Sequence, residues 1–143
     1  MNRWIWRAVG LAILAEGTVE ALPVRESLAM FESGARQAQF CRADLKRGNS
    51  GEVSRFQIMP DIWRQYTRSR DFENPEVAWS VASRILDDRS RWFAERRGRN
   101  PNAVELYLLW NKPASFAAVG FDPERVRTVY RERAQRFANL RSR

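Results

Sequence analysis

Residues 74–98, NPEVAWSVASRILDDRSRWFAERRG, decide the fold class. Val77, Val81, Ile85 and Leu86 fall on one face of a 3.6-residue period, with Trp92 and Phe93 near the end of the stretch. Asn74 offers a side-chain acceptor to an unpaired backbone N–H, and Pro75 needs no donor at the first helical position. Gly98 suits the left-handed residue that ends a helix. The stretch therefore predicts a helix over 75–97.

The same Asx-Pro pair recurs at Asn100-Pro101 and Asp122-Pro123, predicting a helix over 101–111 and a last helix along the C-terminal segment. The first is almost wholly apolar from Val104 to Trp110 and should lie at the centre of the domain. The second should turn Val126, Val129, Tyr130, Phe137 and Leu140 inward and its arginines outward. Pro60 can open another helix with Ile62, Trp63 and Tyr66 inside. A first helix is expected from about Arg25 to Arg36, striped by Leu28, Phe31 and Ala35. Residues 37–55 are polar and carry Arg47-Gly48-Asn49-Ser50-Gly51, an irregular segment or small hairpin. The expectation is an all-α, compact single domain of about five to six helices, with at most a minor β hairpin near residues 44–58.

Composition narrows the chemistry. The chain has 143 residues, 44% hydrophobic and 29% charged, an ordinary balance for one globular domain. Histidine is absent and Cys41 is the only cysteine, which excludes Ser-His-Asp and Cys-His nucleophile systems, His-rich zinc sites and an internal disulfide. Any hydrolytic site must use carboxylates, hydroxyls, amides or arginine. The net charge of +8 suits an anionic polymer, either nucleic acid or a bacterial wall, although most exposed arginines are simply solvated helix faces.

Residues 1–21 read as a secretory signal. Arg3 and Arg7 make a positive start, residues 8–15 a short apolar run, and Val19-Glu20-Ala21 a cleavage site before Leu22. The apolar run is far shorter than the roughly 20 residues that span a bilayer. The other reading is an N-terminal helix that packs on the domain. Residues 22–143 are then the functional domain.

Glu32 follows Leu28 by four residues and so shares the inward stripe of the first helix. A carboxyl placed there loses solvation, which raises its pKa and suits it to general acid catalysis. The competing reading has the helix ending early, with Glu32 solvated or paired with arginine.

Three segments then occur in order. Phe31-Glu32-Ser33-Gly34 resembles the glutamate-serine-glycine motif of the soluble lytic transglycosylase (SLT) family of the lysozyme-like superfamily. Gly51-Glu52-Val53-Ser54-Arg55-Phe56-Gln57-Ile58-Met59-Pro60 resembles that family's Gly-Ala-x-Gly-Leu-Met-Gln-Ile-Met-Pro segment. Leu108-Leu109-Trp110-Asn111-Lys112-Pro113 is similar to its Ala-Ala-Tyr-Asn-Ala-Gly-Pro, and Val126–Tyr130 to its closing helix. The resemblance runs from about Leu28 to Tyr130.

It implies a lysozyme-like fold and cleavage of peptidoglycan between N-acetylmuramic acid and N-acetylglucosamine, with Glu32 as the single general acid and base. It also implies Ser33, Gln57, Trp110 and Asn111 as substrate-binding residues. Glu52 is the best second carboxylate if water rather than the sugar's own hydroxyl attacks; Asp44 and Asp61 are the others. Alternatively Trp110 is a core residue, Glu52 a surface partner of arginine, and the whole domain a non-catalytic peptidoglycan-binding module.

The sequence also departs from the family pattern. Trp110 replaces Tyr, Ser54-Arg55 replaces Gly-Leu, Glu52 replaces Ala, and the spacing of 25 residues from Glu32 to Gln57 implies a modified loop containing Cys41. The expected partner is peptidoglycan, outside the cytoplasm. No nucleic acid, stable membrane span, cofactor or metal is expected, and the protein should be monomeric.

Overall fold

The computed structural model describes residues 21–35 and 47–143. Residues 1–20 of the expected signal segment, Cys41 and Asp44 lie outside the described residues. The domain is mostly helical and single, with no sheet among the described residues. Its helices are α1 (Val24–Ser33), α2 (Pro60–Tyr66), α3 (Pro75–Arg97), α4 (Ala103–Asn111), α5 (Pro113–Ala118) and α6 (Thr128–Arg141), with a 3-10 turn at Pro123–Arg125.

The long helix forms as its sequence dictates. The Asn74 side chain accepts from the backbone N–H groups of Glu76 and Val77, and Gly98 ends α3 at φ 69°. Ala78, Val81, Ala82, Ile85, Leu86 and Phe93 are buried along one face.

The other Asx-Pro pairs act differently from expectation. Asn100 does not cap α4; Asn102 does, because Glu105 three residues on returns a bond to the Asn102 backbone N–H and completes a capping box. Asn100 has Ala103 at the matching position and cannot be reciprocated. Asp122 caps only the 3-10 turn, after which Val126 goes extended to bury itself, so the last helix starts at Thr128. That start sets the phase of α6: Ala134 and Phe137 are buried, whereas Val129 is 55% exposed, contrary to its expected inward position. Likewise α1 ends at Ser33 rather than near Arg36. Gly34 at φ 73° donates to the Met30 carbonyl, leaving Ala35 outside the helix. α5 was not legible as a separate helix.

α4 is the hub, packing against α6, α3 and α5, while α1 packs on α6 and α2 on α3. Tyr107, Leu108, Leu109 and Trp110 are all buried there, as an apolar central helix requires. Phe93, Phe116 and Phe121 cluster with ring centroids 5.4–6.2 Å apart. Each well-buried aromatic or aliphatic side chain removes apolar area worth about 1.5–3 kcal/mol. Among the described residues, the expected β element reduces to a single antiparallel bridge, Val53 to Ile58.

Candidate active site

A groove of about 390 Å³ opens between α1, the 47–58 loop, α2, α3 and the α4–α5 junction. Glu32, Glu52, Gln57, Trp110 and Asn111 all line it. Ile58, Ile62 and Ile85 supply apolar wall, and Arg89 and Lys112 supply cations. Residues from four separated stretches of chain therefore meet at one concavity.

Glu32 reaches the groove from the last turn of α1. Its side chain is only 7% exposed. Tyr107, which α4 holds 1% exposed, donates its hydroxyl to Glu32 Oε1 at 2.5 Å, and Arg133 Nε from α6 donates to the same hydroxyl oxygen at 2.7 Å. Arg133 Nη2 stands 3.7 Å from Glu32 Oε2. Burial pushes the Glu32 carboxyl above its ordinary value of 4.5; the Tyr107 bond and the Arg133 charge pull against that, and the Glu52 carboxylate adds a further upward push. The net direction is upward. Both readings of the sequence thus hold in part: Glu32 is inward, and it also has an arginine partner.

The hairpin-like loop owes its shape to unusual backbone. Val53 and Ile58 exchange backbone bonds at 2.8 and 2.9 Å, and the turn between them takes Ser54 and Gln57 into the left-handed region, φ 63° and 51°. Non-glycine residues rarely adopt that region, and such outliers concentrate at working sites. Ser54 stands where the resembled motif has Gly, the residue for which this backbone costs nothing. The Gln57 side-chain amide donates to the Ser54 carbonyl at 3.1 Å, which fixes the side chain against its own loop. Arg55, at the motif's Leu position, is buried. Glu52 Oε2 accepts from the Ser50 backbone N–H at 3.0 Å. Gly48 lies so close that a Cβ there would overlap the Glu52 carboxylate and the Gln57 amide.

On the opposite wall, Trp110 is both buried core and groove lining, so its two sequence readings are compatible. Arg89 Nη1 donates to the carbonyls of Leu109 and Trp110 at 3.0 and 2.7 Å, covering C-terminal carbonyls of α4. Its guanidinium carbon lies 5.9 Å from the Trp110 ring. Lys112 lies over the Tyr130 ring, 5.0 Å from its centroid.

Two sequence candidates stand elsewhere. Ser33 does not line the groove; its hydroxyl donates to the Ala29 carbonyl at 2.6 Å and accepts from the Ala35 N–H at 3.2 Å, closing the end of α1. Asp61 is exposed at the start of α2 and also lies off the groove. Sequence reasoning missed Tyr107, Arg133 and Arg89. One signal for Tyr107 was present: it precedes Trp110 and Asn111 by three and four residues and so shares their helix face. Arg133 carries no comparable mark among so many arginines. No group of metal-ligating side chains that could hold an ion occurs among the described residues.

Chemically, the groove presents a desolvated carboxyl with a raised pKa, a second carboxylate, an amide and an indole. Comparisons of the chain with protein-family models, with curated proteins and with solved structures return no match.

Proposed function

We propose that this chain cleaves peptidoglycan glycan strands between N-acetylmuramic acid and N-acetylglucosamine by the lytic transglycosylase route. The observation that carries the reading is the meeting of Glu32, Gln57, Trp110 and Asn111, the positions that correspond to the resembled motifs, at one groove. Fold alone is a weak guide to activity, so the site has to bear the weight.

In this reading the protonated form of Glu32, whose share at a given pH the raised pKa enlarges, is the active acid. It gives its proton to the glycosidic oxygen while the C1–O bond breaks and the transition state gains oxocarbenium character. The resulting Glu32 carboxylate takes the proton of the sugar's own C6 hydroxyl as that oxygen bonds to C1. The product is a 1,6-anhydro sugar, and the acid is regenerated. Arg133 and Tyr107 stabilise the carboxylate stage through the bonds they already make. Gln57, Trp110 and Asn111 orient sugar rings and acetamides. The proposed setting is outside the cytoplasm, reached through the 1–21 leader.

One observation favours a second outcome. Glu52 lines the same groove and is oriented by the Ser50 N–H, so it could serve water attack as base or stabiliser. Digestion of purified peptidoglycan with mass spectrometry of the products separates the routes. Anhydro ends support transglycosylation, and reducing ends lost in Glu52→Gln support hydrolysis. Activity that survives intact in Glu32→Gln overturns both. A wild-type protein that binds peptidoglycan without cutting it is a wall-binding module instead.

A further inference from the structure

A second cavity, of about 500 Å³, lies on the other side of α2 from the groove. Ile62 faces the groove, while Trp63 and Arg64 line this cavity. Four arginines stand around it: Arg47, Arg64, Arg68 and Arg70. Among the described residues, no Asp or Glu lines it. All four are exposed, and none makes a hydrogen bond or ion pair with another described residue. Elsewhere Arg25, Arg99, Arg131 and Arg133 each meet a carboxylate. Unpaired guanidiniums gathered at one concavity repel one another and raise its positive potential, and a multiply charged anion relieves that repulsion.

The loop that carries two of the arginines is held in place. The Trp63 indole N–H donates to the Ser69 carbonyl at 2.8 Å. Thr67 Oγ1 accepts from Ser69 N–H, and Ser69 Oγ from Asp71 N–H, both at 3.1 Å. The two hydroxyl protons have no acceptor among the described residues, so they add donors to the cavity wall. Its other side is apolar, with the half-buried Phe72 ring set edge-on to Trp63 at 5.1 Å.

We propose that this cavity binds a phosphate monoester bearing an apolar group, its phosphate held by Arg64, Arg68 and Arg70 and its apolar group against Phe72. A phosphate offers three oxygens to several guanidinium forks, whereas a carboxylate offers one bidentate edge. The apolar wall is the reason for an ester rather than the free ion. The site does not depend on the glycan reading.

The test is calorimetric titration of the full chain with phenyl phosphate, inorganic phosphate, and vesicles of phosphatidylcholine with and without phosphatidylglycerol. Phenyl phosphate should bind saturably at one site, about fivefold tighter than inorganic phosphate for a ring that buries part of its area. The double variant Arg64→Ala/Arg68→Ala should lose about tenfold or more of that affinity. Arg96→Ala/Arg97→Ala, which removes two exposed cations away from the cavity, should bind as wild type. Because all four arginines are exposed, unchanged melting temperatures will show that the variants fold. Equal losses in both variants, equal affinity for the two phosphates, or binding only to phosphatidylglycerol vesicles would each overturn the proposal. The last outcome would make the patch a membrane contact.

Discussion

Replacing Tyr107 with Phe isolates the hydroxyl that links Glu32 to Arg133. The ring contacts with Phe31 and Phe137, both at centroid distances of 5.0 Å, are retained. Two bonds disappear, from the hydroxyl to Glu32 Oε1 and from Arg133 Nε to the hydroxyl. A hydrogen bond to a charged group contributes about 1.5–3 kcal/mol, and a buried acceptor left unmet loses most of that. Arg133 is partly exposed and regains its bond from water, so it adds little. The expected loss at pH 7 is therefore about 2–3 kcal/mol, a fall of roughly 6–12 °C in melting temperature for a domain of this size.

The pH dependence fixes the sign. The Tyr107 bond lowers the Glu32 pKa, so it stabilises the charged carboxylate, and without it that pKa rises further. Once acid protonates Glu32 in both proteins, the loss shrinks toward the roughly 0.5–1.5 kcal/mol of a neutral bond. Denaturant unfolding across pH measures the first effect, and carboxyl carbon NMR of Glu32 the second. A loss under about 0.5 kcal/mol at pH 7, a loss that grows toward acid, or a Glu32 titration that moves downward would refute the argument. If Glu32 is the general acid, the alkaline limb of the cleavage profile should move to higher pH in the same variant.

Four further outcomes follow from the same geometry. With its native pKa above 4.5, Glu32 makes wild-type stability decline as pH rises through the window between 4.5 and its native value; Glu32→Gln removes that slope, so its melting temperature relative to wild type should climb between pH 4 and pH 8. Glu105 is the opposite case. Burial opposes its charge, but the Arg99 bonds at 2.6 and 2.8 Å and the Asn102 N–H outweigh it and hold the pKa low, so its stabilisation is present above 4.5 and fades as pH falls through its native value. Glu105→Gln should thus melt lower than wild type at pH 7 and converge with it in acid, and Asn102→Ala should cost about 0.5–2 kcal/mol in denaturant titrations through loss of the cap. Gly48→Ala should lower peptidoglycan turnover by roughly tenfold or more, because the Glu52 carboxylate and Gln57 amide must shift, while melting changes little since flexible side-chain ends yield easily.

Much of the helical framework was legible because its signals are local. Asn74, Pro75 and Gly98 act on the backbone within a turn of themselves, so α3 runs over the expected residues. Where two local signals competed, neighbours decided. Asn102 capped α4 because Glu105 could reciprocate, and Val126 broke the chain before α6 because its side chain had a core to enter. Ser33 shows the limit of carrying a motif residue by residue, since a hydroxyl one position after Glu32 points back to its own helix.

The sequence by itself determined the all-helical class and the exclusion of Ser-His-Asp and Cys-His catalysis, and it offered Glu32 an inward position beside a solvated or arginine-paired one. Periodicity, caps and absent residue types need no knowledge of distant contacts. Only the tertiary structure decided what surrounds that carboxyl. Tyr107 from α4 and Arg133 from α6 reach it across separations of 75 and 101 residues, and packing of α4 on α6 sets those distances. The pKa of Glu32 follows from the balance of burial against those two partners, and a linear chain does not state such a balance.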